Sequence, residues 1–152
     1  MTKHRASASL AALVGLLVFG AAAASAQDTQ LFAVLSGGNE VGPTGQADAG
    51  DPDGTGNATV SVVAPDGLCF TIFVNHIDPP ALAHIHQERA GVNGPIVVNL
   101  SPPPSGEGGV SGACVGGLDP ALVDGILRTP WRFYVNVHTG PFPAGAVRGQ
   151  LF

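Results

Sequence analysis

The chain has 152 residues, 45% of them hydrophobic and 11% charged, with 22 glycines and 13 prolines. Glycine and proline at that density punctuate the chain too often for long helices. Six Lys+Arg against 11 Asp+Glu give a formal charge of −5, which argues against a basic surface for nucleic acid or for an anionic membrane.

The first segment reads as a targeting element. Lys3 and Arg5 precede an apolar run from Leu10 to Ala23, and Ala24-Ser25-Ala26 then stands before Gln27. This is the order of a secretory signal peptide, with residues 1–26 removed after Ala26. The apolar run is short for a bilayer span, which needs ~20 residues, so no membrane association is expected after cleavage. Residues 27–152 then form one domain carrying four arginines against 11 acids, a formal charge of −7. The expected location is secreted or periplasmic, where Cys69 and Cys114 most simply form a disulfide. Their separation lacks the close spacing of structural zinc ligands.

Eight short apolar segments follow, each bounded by turn residues. They are 31–37, 57–64, 68–75, 82–88, 95–100, 109–116, 133–139 and 146–152. Pro65-Asp66-Gly67 joins the second to the third, with proline fixing φ and glycine taking a positive φ. Ala90-Gly91-Val92-Asn93-Gly94 joins the fourth to the fifth, with Asn-Gly as the turn signal. One helix is expected over 119–129, capped by Asp119 with Pro120 in its first position. The pattern predicts an all-β domain, an antiparallel immunoglobulin-like or Greek-key β-sandwich of about eight strands with one short helix. Asp48, Asp51 and Asp53 cluster near Gly54, but their spacing does not fit a calcium loop, and they read as a solvated turn.

Strand parity sorts the polar residues, because alternate side chains point to opposite faces. His84 and His86 share a face with Leu82, opposite Ala83 and Ile85. Tyr134, Asn136 and His138 share a face opposite Phe133, Val135 and Val137, and Arg148 and Gln150 share one opposite Val147 and Leu151. His84, His86 and His138 are therefore candidate metal ligands, with His76 as a fourth. They read equally well as hydrogen-bonding residues of a polar face that includes Asn136 and Arg148. No Gly-x-Ser-x-Gly elbow is present, Glu88 reads as a solvated acid, and no catalytic residue is assigned. The partner is left as a protein or a small ion.

LSGGNEV at 35–41, AHIHQERAGVNGPIVVNL at 83–100, YVNVHT at 134–139 and PAGAVRGQLF at 143–152 together resemble the CHRD domain, known as a repeat in chordin and singly in exported bacterial proteins. The resemblance spans nearly all of 27–152. It implies an extracytoplasmic all-β domain of immunoglobulin-like sandwich type, acting as a binding or structural module without a settled activity. A weaker likeness of arrangement is to copper–zinc superoxide dismutase. His84, His86 and His138 would match three of its copper ligands, while the bridging histidine and the zinc ligands have no counterpart. It implies copper or zinc as the cofactor, and affinity order favours copper. If superoxide were the substrate, Arg89 or Arg148 would attract the anion.

Overall fold

A computed structural model describes residues 30–152. The expected signal peptide and its cleavage point lie outside the described residues. Eight strands follow in order: β1 Gln30–Ser36, β2 Thr55–Val63, β3 Gly67–Asn75, β4 Pro80–Gln87, β5 Ile96–Leu100, β6 Gly109–Val115, β7 Phe133–Thr139 and β8 Val147–Gln150. The helix α1, Pro120–Arg128, separates β6 from β7. It starts as its sequence dictates, with the Asp119 carboxylate accepting from the Ala121 N–H at 2.8 Å and Pro120 next. Among the described residues no helix is long and apolar enough to cross a membrane.

All ladders are antiparallel and join one sheet in the order β5-β4-β7-β8-β1-β2-β3-β6. The sheet curls until its two edges approach: the Ser111 hydroxyl on β6 donates to the Ser101 carbonyl just beyond β5 at 2.8 Å. The all-β reading with about eight strands and one helix holds, but strand period assigns faces without saying where a sheet divides, and in place of the two sheets of a sandwich the strands form one unbroken, nearly closed sheet. The core is a single cluster inside the curl, with Val60, Ile72, Val74, Ile85, Val135, Val137 and Val147 all at 0% exposure. Val123 and Ile126 of α1 cover one end of it. Removing such apolar surface from water is the main drive to this shape.

Two turns work differently from their sequence reading. Between β2 and β3 the Ala64–Pro65 peptide is cis and Gly67 is already the first residue of β3. In the β4–β5 connection the positive φ, 76°, falls at Gly91. Gly94 is needed for a close approach: a Cβ there would lie 2.1 Å from the Gln87 carbonyl oxygen. Cys69 and Cys114 face each other directly in the β3–β6 ladder and are bonded, with S–S 2.00 Å.

Candidate metal centre

The pairing of β4 with β7 decides whether the histidines can meet. The register sets Leu82 opposite His138, His84 opposite Asn136 and His86 opposite Tyr134. Diagonal neighbours on one face of an antiparallel pair are within reach of aromatic side chains. His138 therefore meets His84, with ring centroids 5.0 Å apart, and His86 lies 6.1 Å from His138 and 5.6 Å from His84. One ring nitrogen from each lies within 4.8 Å of the other two. Atoms so placed fit within about 2.8 Å of a common point, against the ~2.0–2.1 Å of an imidazole–zinc bond. His76 stays apart, bonded to Asn75 beside a separate surface cavity that it shares with Asp51, Asp53 and Asp78.

The hydrogen bonds fix the ring nitrogens. Backbone carbonyls only accept, so the His86 Nδ1–H donates to Gly94 O at 2.9 Å and the His138 Nδ1–H donates to Pro143 O at 3.2 Å. Both rings then carry a bare Nε2 when neutral. The His138 Nε2 accepts from His84 Nδ1 at 3.1 Å. The His86 Nε2 is buried and has no hydrogen-bond partner. Metal-binding histidines commonly donate their second N–H to a carbonyl in this way, which fixes tautomer and ring orientation.

Burial drives all three imidazoles toward the neutral state. His84 is pushed down to about 4, first by burial and then by the charges His138 and His86 would carry. His86 and His138 are lowered too, chiefly by burial, with the Gly94 and Pro143 carbonyls pulling the other way. Neutral imidazole is the form that binds a metal.

The face that sequence parity described as polar is not solvated. His84, His86, Asn136, His138 and Arg148 are 1–8% exposed, because the 37–51 segment and the β4–β5 connection lie over them. Polar side chains hold that cover down. Asn93 donates to the carbonyls of Val41 and Gly42, and Gln150 to those of Glu88 and Trp131. The Arg148 guanidinium donates to Asn93 Oδ1 and to the carbonyls of Arg89 and Val92, and lies 3.4 Å above the Tyr134 ring. Tyr134 stacks on His86 with its other side, 4.8 Å between centroids and 6° between planes, and its hydroxyl accepts from Gly94 N–H.

Three participants escaped the sequence reading. Gly94 and Pro143 act through backbone carbonyls, which no residue type announces. Glu40, 2% exposed with both carboxyl oxygens buried and unpartnered, carries no signal in sequence beyond its place in LSGGNEV. Of the two arginines that would attract an anion if superoxide were the substrate, Arg148 has its bonds taken up in the cover, while Arg89 is exposed at the turn.

No curated protein matches the chain. The sequence pattern of the CHRD domain does, over residues 31–151, from the first strand to the residue after the last. The chain belongs to the CHRD domain family.

Proposed function

We propose that this domain is an exported metal-binding module that holds one copper or zinc ion between His84, His86 and His138. The buried, unpartnered Nε2 of His86 carries the reading. An orphaned buried polar atom costs on the order of 1–3 kcal/mol, and a cation bound by three neutral imidazoles would remove that cost. His84 and His138 supply the other two nitrogens, with His84 giving up its bond to His138. Three nitrogen ligands leave room for water or an exogenous group on the ion. Export is supported by the first 26 residues and by a disulfide suited to an oxidising compartment.

Recognition of a protein through the polar face has less support, because its own loops cover Asn136 and Arg148. The test is metal analysis of protein purified from the periplasm under metal-replete conditions. The expected result is one copper or zinc per wild-type chain and none in His84→Ala. Wild-type protein without stoichiometric metal would overturn the reading.

A further inference from the structure

The cluster leaves one buried acid unexplained. Glu40 lies in the 37–51 cover, and its carboxyl is held in a space kept open by two glycines. A Cβ at Gly145 would lie 2.5 Å from the carboxyl carbon and both oxygens, and one at Gly50 would lie 2.7 Å from Cγ. Arg148 is near enough to be felt electrostatically, yet its hydrogen bonds go to Asn93, Arg89 and Val92, and it forms no ion pair with Glu40. Val41 N–H and the Asn136 side chain come close to the carboxyl as well. Neither oxygen gains a hydrogen bond of good geometry, and Asn136 Oδ1 is itself buried and unpartnered. In the register Asn136 stands between His84 and Arg148, so it separates Glu40's surroundings from the histidines.

A cation entering beside the buried Arg148 adds charge to a region that already holds one positive group without an ion pair, and unlike partners are needed to offset it. Glu88 also acts on Arg148, but its carboxylate sits in the β4–β5 connection and accepts from the Arg89 N–H. We propose that Glu40 is the charge-compensating group of the three-histidine site: at neutral pH it keeps its proton in a large share of molecules whose site is empty, and it becomes a carboxylate when a divalent cation binds. The O–H bond of the acid breaks, the electron pair stays on the carboxylate, and the proton passes to solvent. The cavity of about 300 Å³ that Glu40 lines with Asn39, Ala90, Arg148 and Gln150 offers the route out. Burial supports the neutral form, since it raises the carboxyl to about 7 against the opposing pull of Arg148. The histidines, already neutral, release few protons of their own.

This inference rests on the metal reading and deepens it. It is tested by calorimetric titration of Zn²⁺ into the full domain at pH 7, in two buffers of different ionisation enthalpy, for wild type and Glu40→Gln. The carboxyl carbon resonance of Glu40 is followed in parallel in the wild type. The expected result is about half a proton more released per zinc by the wild type, tighter binding by the wild type than by the variant as pH rises above 7, and a carboxyl resonance that moves to its ionised position. Equal proton release with an unmoved resonance would overturn the role of Glu40 and leave the metal site standing. Absence of zinc binding in both proteins would overturn the site and this role together.

Discussion

The two faces of the β4–β7–β8 patch are almost equally hidden from water and are hidden for opposite reasons. On the inner face Ala83, Ile85, Val135, Val137 and Val147 are at most 1% exposed and pack against the common core. On the outer face His84, His86, Tyr134, Asn136, His138 and Arg148 are at most 8% exposed and are covered by loops. The inner face gains stability from area alone, without regard to direction. The outer face needs a partner for each polar atom, and where one is missing the atom costs stability. His86 Nε2, Asn136 Oδ1 and the Glu40 carboxyl are such atoms, two on the face to which we assign function and the third in the segment that covers it. Burial therefore does not separate the folding face from the working face; unmet hydrogen bonding does.

Three perturbations break this contrast or sharpen it. The largest effect is expected at neither face. Replacing both cysteines by serine opens a bridge spanning 45 residues on the β3–β6 side of the sheet, and should cost about 4 kcal/mol by loop-closure entropy. Denaturant unfolding measures the loss, and cation affinity of the folded protein should be unchanged. Next is a paired test on adjacent β4 residues. Ile85→Ala should cost about 3 kcal/mol through the cavity it leaves. His84→Leu, pointing the other way, should cost less than about 2 kcal/mol, the effect of leaving His138 Nε2 without its donor, while abolishing metal binding. Comparable losses from the two variants would refute the division between the faces.

The effect at Glu40 is set by pH and falls to nothing on the acid side. Burial raises its carboxyl from the ordinary 4.5 to about 7 in the fold, so the stability tied to its proton is present at low pH and is lost as pH rises through the folded value. Glu40→Gln should thus match wild-type stability below pH ~4.5 and exceed it by up to about 3 kcal/mol above pH ~7. The histidines carry the opposite sign: lowered in the fold, they stabilise above their unfolded value and lose that contribution as pH falls toward about 4. The variant should therefore show a steeper acid-side loss than the wild type, in which the two contributions oppose each other. Melting temperatures of both proteins from pH 4 to 8 without metal decide the matter.

Much of the fold was legible because its signals are local. Alternation along FYVNVHT and AHIHQ assigns faces, and the Asp119-Pro120 pair starts α1 where expected. The His84–His86–His138 group was legible as three residues sharing a polar side, but their meeting depends on β4 lying beside β7, a pairing 54 residues apart for His84 and His138. Parity carries no information about that. Nor does it show that the polar face lies beneath loops, since the cover depends on Asn93, Gln150 and Arg148 reaching distant carbonyls. Asn93 shows the difference most clearly. Its place before Gly94 marks a turn in sequence, whereas in space it joins that turn to Val41, Gly42 and Arg148.

Tyr134 is the chain's one tyrosine, and Trp131 its one tryptophan. The tryptophan is 60% exposed, while the tyrosine lies flat between His86 and Arg148. The domain thus carries a built-in optical reporter. Near-ultraviolet circular dichroism of a rigidly stacked tyrosine follows the histidine layer with little contribution from the solvent-facing indole, and loading with paramagnetic copper would quench the emission of Tyr134 ahead of that of Trp131.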